Sequence, residues 1–194
     1  MAFPDKLFGI RSDVIEHTDG DGFSYLIERF ERIVPAGDIE YSKTNKLSCE
    51  ACDKHGKNLA CPPYSPNFPD YIGQPGKARI ICYRVYMEMV HEVSGEPKYR
   101  SAFKMVRELL VEELYNYRKE GHVIAGAGAC LFCKECVAET GERECRAPSQ
   151  LVYSLESLGV NLISLSEQIL GLSLEWGGGE ADAEHVAAIG AAFE

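Results

Sequence analysis

The chain has 194 residues, 45% of them hydrophobic, which is enough for one domain with a full core and no need of disulfide staples. Its formal net charge of −10 argues against the basic footprint of a nucleic-acid-binding surface. No apolar run approaches the ~18 residues of a membrane span. MAFPDKLFGIRSD at the start lacks the basic segment and apolar core of a signal peptide, so a cytoplasmic protein is expected.

Residues 1–22 are polar and turn-rich, and HTDGDG (17–22) reads as a turn feeding a helix; the later ligands of a calcium loop are missing. YLIERFERIV, from Tyr25 to Val34, predicts a short amphipathic helix with Leu26, Ile27, Phe30, Ile33 and Val34 on one face. A first cysteine group follows, Cys49-x2-Cys52-x8-Cys61, and then PPYSPNFP, whose prolines predict a stiff, extended support for Cys61.

ARIICYRVYMEMV, from Ala78 to Val90, predicts a strand. One parity is apolar throughout. The other mixes Cys82 with Arg84, Tyr86 and Glu88, which predicts a half-exposed strand or a face lining a site. Tyr99 to Lys119 predicts the longest helix, with Phe103, Val106, Leu110, Leu114 and Tyr117 in helical register and Gly121 at its end. HVIAGAGA (122–129) reads as a strand running into Cys130, so strand, helix and strand suggest an α/β unit. The Gly and Ala alternation there would let backbone N–H groups approach a bound cluster.

The second cysteine group, Cys130-x2-Cys133-x2-Cys136-x8-Cys145, holds half of the chain's eight cysteines. Two-residue gaps are the spacing by which short loops wrap an iron–sulfur cluster, and four thiolates complete the terminal ligands of one cubane. An all-thiolate zinc site is the alternative, although structural zinc more often pairs two separate C-x2-C knuckles. A reducing compartment also favours ligands over disulfides. The spacing of Cys133, Cys136 and Cys145 repeats that of Cys49, Cys52 and Cys61, with Lys46 where Cys130 would fall. The first group is thus one thiolate short of a cubane. His55, Cys82, Tyr64 or an exogenous ligand would supply the fourth position.

Beyond Pro148, SQLVYSLESLG predicts a helix capped by Gly159. Asn161 to Leu170 predicts another, with Ser164 or Ser166 as N-cap. Leu172 to Trp176 reads as a strand, and His185 to Phe193 as a strand or helix.

The Cys-x2-Cys pair, Cys61-Pro62-Pro63, ARIICYRVYME, GAGACLFCKEC and ECRAP together resemble an uncharacterised family of predicted metal-binding proteins, common in anaerobic archaea and bacteria. The likeness covers roughly 47–176, leaving 1–40 as an N-terminal segment. The resemblance implies metal or iron–sulfur binding through Cys49, Cys52, Cys61, Cys130, Cys133, Cys136 and Cys145, with no established reaction.

The expected fold is α/β or α+β: one compact domain over 1–194 with a central sheet, flanking helices and two cysteine-rich metal-binding loops. The expected cofactor is one [4Fe–4S] cluster at the four-cysteine group and a second at the three-cysteine group, serving electron transfer or redox chemistry. One alternative is an enzyme whose three-cysteine cluster keeps an iron open, with Arg84, Tyr86 and Glu88 about the substrate. The other is a zinc-stabilised interaction protein. A redox protein or a small molecule is the expected partner; nucleic acid and membrane are not.

Overall fold

The computed structural model describes residues 9–92, 96–174 and 183–194. Five strands form one sheet: β1 (Arg11–Thr18), β2 (Ser24–Pro35), β3 (Lys77–Tyr86), β4 (Val123–Ala125) and β5 (His185–Phe193). Their order is β1-β2-β3-β5-β4, and every neighbouring pair is antiparallel. The helices are α1 (Phe68–Ile72), α2 (Lys98–Lys119), α3 (Leu155–Leu158) and α4 (Leu162–Ser164), the last continuing as a π-helical turn, Leu165–Leu170. The fold is mixed α and β in a single compact domain. None of the described helices is long and apolar enough to cross a membrane.

The predicted helix over Tyr25–Val34 is instead strand β2. Its sequence fits both periods. The alternating set is Tyr25, Ile27, Arg29, Glu31 and Ile33, and it looks broken because two members are charged. Those charges are inward and paired. Arg29 donates to Glu113 (2.9 Å, Nε to Oε2) and to Glu31 (2.6 Å), Tyr83 Oη donates to Glu113 (2.6 Å), and Arg79 pairs with Glu31. Partnered charges are tolerated where bare ones are not, so the ion network hides the alternation. The turn 17–22 accordingly joins two strands rather than feeding a helix. Asp19 accepts from the amides of Asp21 and Phe23 and from Tyr25 Oη.

β3 is not half exposed. On one face Ile81, Tyr83 and Val85 pack under Val106, Leu110 and Leu114 of α2. On the other, Ile80 and Cys82 join Ile189, Phe193, Phe68 and the leucines of α3, α4 and the π-helical turn. β5 is a strand, between β3 and β4. It is rich in small residues because α2 lies directly over it: a Cβ on Gly190 would sit 2.8 Å from both Leu114 Cδ1 and the Ala125 carbonyl. β3 and β4, each antiparallel to β5, run parallel, so β3-α2-β4 is a crossover unit with β5 inserted in its gap.

Other expectations shift in detail. PPYSPNFP contains a cis Pro62–Pro63 bond and enters α1 at Phe68, so it is not extended throughout. After Pro148 the chain forms a 3-10 turn (Pro148–Gln150) and only one turn of α-helix, α3, ended by Gly159 at φ 93°. α4 is capped by Asn161, whose side chain accepts from the Ser164 amide, not by Ser164 or Ser166. Leu172–Leu174 has no regular structure, and 175–176 of that predicted strand lie outside the described residues.

Candidate metal centre

Both cysteine groups lie in turn-rich segments anchored to the α3 side of the sheet. The first begins in a 3-10 run, Lys43–Ala51, started by Ser42, whose hydroxyl accepts from the Thr44 amide. This run is tied down at Gly159, whose carbonyl accepts from the Ser42 amide (3.0 Å) and Asn45 Nδ2 (3.1 Å). A Cβ at Gly159 would meet the Ser42 carbonyl at 2.8 Å, and its φ of 93° favours glycine independently. Lys46, where a fourth cysteine would fall by analogy with Cys130, instead donates to the carbonyls of Ser65 and Pro66 (2.8 and 3.0 Å). It locks the start of the loop to its end.

Successive tight turns then carry the thiols. The Cys52 amide donates to the Cys49 carbonyl (3.1 Å), His55 to Cys52 (3.0 Å), Cys61 to Asn58 (2.9 Å), and Tyr64 to Cys61 (3.0 Å). Cys49 Sγ lies 4.0 Å from the Glu156 carbonyl oxygen on α3. Burial pushes the Cys49 thiol up, helped by the charges of Glu156 and Cys52. Burial likewise pushes Cys61 up to about 12, reinforced by Cys52 and Cys49 and opposed by Arg107. The three thiols therefore sit within electrostatic reach of one another.

The second group leaves β4 through Gly126, whose amide donates to the Tyr153 carbonyl (2.8 Å) and whose carbonyl accepts from Leu155 (3.0 Å). The small residues ahead of Cys130 serve packing. A Cβ at Gly126 would lie 3.2 Å from Val152 Cγ1, and one at Gly128 (φ 64°) 3.2 Å from Arg107 Cζ. Cys133 is exposed; Cys136 opens a 3-10 turn, Val137–Thr140, that ends at Gly141 with φ 86°.

The fold brings the two groups together. The Leu59 amide, between Cys52 and Cys61, donates to Cys136 Sγ at 3.3 Å. Asn58 Nδ2 donates to the Cys130 carbonyl at 3.3 Å, while Asn58 Oδ1 accepts from the Ala60 amide at 2.9 Å. Leu59, Val137 and Ala138 bury one another with Tyr64, Cys136 and Cys145 against them, and the Arg143 guanidinium sits 5.8 Å from the Tyr64 ring centroid. An amide pointing at a sulfur is a hydrogen bond of the kind that tunes a cluster's potential. The donor set is entirely thiol: the seven motif cysteines are free, and hard oxygen-preferring cations would be poorly served. Such donors fit iron–sulfur or zinc chemistry. Among the described residues, no three His, Cys, Asp or Glu side chains converge tightly enough to hold a single metal ion.

Other sequence candidates separate from this region. Cys82 is fully buried in the sheet core, its thiol pushed up to about 12 by burial. Arg84 donates to Glu28 (2.7 Å) and lies over the rings of Phe30 and Tyr86, joining β2 to β3 instead of framing the cysteines. Two residues that sequence reading passed over do lie among the thiols, Arg107 on α2 and Glu156 on α3. Each carries a buried atom without a hydrogen-bond partner, Nε and Oε2. Burial pulls Arg107 down from its ordinary value and pushes Glu156 up. Their signal in the sequence was faint: Arg107 interrupts the apolar face of the helix one residue after Val106.

The chain belongs to a family described as "Predicted metal-binding protein (DUF2284)", whose model matches residues 32–191. That span takes in β3, β4, both cysteine groups, most of β5 and only the end of β2. No curated protein and no solved structure matches the chain significantly.

Proposed function

We propose that this member of the metal-binding family is an iron–sulfur protein. Cys130, Cys133, Cys136 and Cys145 hold one [4Fe–4S] cluster, Cys49, Cys52 and Cys61 hold a second, and the pair serves electron transfer or redox chemistry. The observation that carries the reading is the joint between the groups. Leu59 N–H, inside the first cysteine loop, donates to Cys136 Sγ of the second at 3.3 Å. Two thiol-rich sites that share a wall suit electrons passing between adjacent centres, whereas two independent structural zincs have no need of contact.

A second reading is an enzyme whose three-cysteine cluster keeps one iron open for substrate. It is favoured by Cys82, the only cysteine outside the motifs, being shut in the core. His55, Tyr64 or an exogenous group is left for the fourth position. Zinc in a structural role is the third reading, since the same thiols suit it.

The test is iron, zinc and acid-labile sulfide per chain on protein purified without oxygen. About eight irons and eight sulfides are expected for two cubanes. About four would confine the cluster to Cys130–Cys145, and zinc without sulfide would overturn the redox reading. Mild oxidation separates the first two readings: an iron without a protein ligand is lost, giving a three-iron electron-paramagnetic signal that a fully ligated pair does not give.

A further inference from the structure

Beside Cys130 lies a cavity of about 360 Å³ between α2, the 127–132 segment and Val152. We infer that it binds a small monoanion with an apolar body, held at its charged end by Arg107 and lying against the four-cysteine group. The inference rests on the proposed cluster for the neighbour the ligand meets, but not for the binding itself.

Arg107 is the first observation. Its side chain lines the cavity, its Nε is buried with no hydrogen-bond partner, and among the described residues no carboxylate forms an ion pair with it. A guanidinium carries five donors in a planar fork suited to a carboxylate. Glu156, on α3, is near enough to favour the Arg107 charge but makes no ion pair with it, so the guanidinium keeps donors free for a visiting anion. Its position is fixed by the Phe103 ring, 5.9 Å from Cζ, and by the Gly128 backbone folded over it.

The walls supply the rest of the specificity. Val111, Ala127, Ala129 and Val152 make them apolar, and Leu131 and Phe132, 46% and 54% exposed between Cys130 and Cys133, stand at the same cavity. Exposed apolar residues between two ligand positions have no packing reason to be there, and a bound apolar body would cover them. Glu108 and Glu112 also line the cavity, and both residues are exposed. They oppose any anion and a dianion about twice as strongly, so with one guanidinium at the site a monoanion is favoured over a dianion. The volume, equal to about a dozen waters, suits a single-ring carboxylate.

The test uses the full chain, metal-loaded and free of oxygen, titrated calorimetrically with benzoate, phthalate, benzyl alcohol and benzylamine. Benzoate should bind saturably and at least about tenfold tighter than benzyl alcohol, the loss expected for one charge-assisted contact. Phthalate and benzylamine should bind more weakly than benzoate. Arg107→Leu should lower benzoate affinity by about tenfold while leaving benzyl alcohol unchanged, a contrast that an unfolded variant does not give. Ala129→Leu, which narrows the cavity without touching the charge, should weaken both. Benzoate should also alter the electron-paramagnetic spectrum of the reduced cluster. Equal affinity for benzoate and benzyl alcohol, tighter binding of benzylamine, or benzoate binding untouched by Arg107→Leu would each overturn the inference. So would no benzoate binding at tens of millimolar. If protein purified without oxygen carries no iron or sulfide yet binds benzoate through Arg107, the cluster reading falls and the anion site stands.

Discussion

β3 and β5 are closed on both faces by α2 and by α3 with α4, whereas Cys49–Cys61 and Cys130–Cys145 ride on turns around a small core of their own, Leu59, Val137 and Ala138. In the sheet, charged groups are largely consumed by one another: Arg29, Glu31, Arg79, Tyr83 and Glu113 form a network beneath α2 in which Arg79 Nε is the buried atom left without a hydrogen-bond partner. Around the loops, the thiols and the adjoining Arg107 of α2 and Glu156 of α3 are left with unused capacity. Function is to be sought around the loops. A region whose groups mostly partner one another is a scaffold, and one that gathers unsatisfied groups beside free thiols is built for something it binds.

The sharpest way to break this comparison is at Cys133. Cys133→Ala should remove the four-cysteine centre, taking about half the iron of a two-cubane protein, while far-UV circular dichroism stays that of the parent. Full iron and sulfide in that variant would mean the ligands are misassigned. Loss of the fold would mean the loops, not the sheet, hold the molecule together.

Within the scaffold, Glu113→Gln should cost about 2–3 kcal/mol in chemical denaturation, because Arg29 and Tyr83 lose a buried partner. The pH dependence carries a sign. Burial raises the Glu113 carboxyl, but the hydrogen bonds from Arg29 and Tyr83 outweigh it and leave the group below its ordinary 4.5. A depressed carboxylate contributes stability that is complete above the unfolded value and is lost as pH falls through the folded one. The parent should therefore lose stability below about pH 4.5 more steeply than Glu113→Gln, read from urea midpoints across the acid range.

Gly190→Ala should cost about 1–3 kcal/mol by forcing α2 and β4 away from β5. It should leave iron per folded chain unchanged. The smallest effect is expected at Cys82: Cys82→Ala should cost about 1 kcal/mol from a small cavity. Metal and sulfide contents should stay at parental values. A fall in iron there would return Cys82 to the ligand set and undo the division between scaffold and site.

How far the fold was legible varied with what each segment packs against. α2 declared itself because its buried residues recur at the helical period with Gly121 just past its end, and β3 by its Ile, Val and Tyr content, although it stops at Tyr86 and Met87–Met89 form a 3-10 turn. β1 was passed over because an edge strand with mostly exposed side chains carries almost no apolar alternation: only Val14 and Ile15 are aliphatic in Arg11–Thr18. β2 was misread because Arg29 and Glu31 point inward as paired charges, which no hydrophobic count registers. The alanines of β5 fitted either period until α2 was seen pressed on Gly190.

By itself the sequence determined which atoms are available for chemistry: seven thiols at two-residue and eight-residue gaps, a spacing set by local chain geometry. It also pointed to a strand–helix–strand unit built on a long amphipathic helix and an Ile- and Val-rich strand. The tertiary structure made the two thiol groups neighbours, put Cys82 in the core and set Arg107 and Glu156 among the thiols. Those outcomes depend on contacts between residues far apart in the chain. Leu59 meets Cys136 because α3 and the Lys43–Ala51 run are clasped at Gly159, and Arg107 meets Cys130 because α2 lies across β5. Periodicity reports the face that a residue presents, and packing alone selects what that face meets.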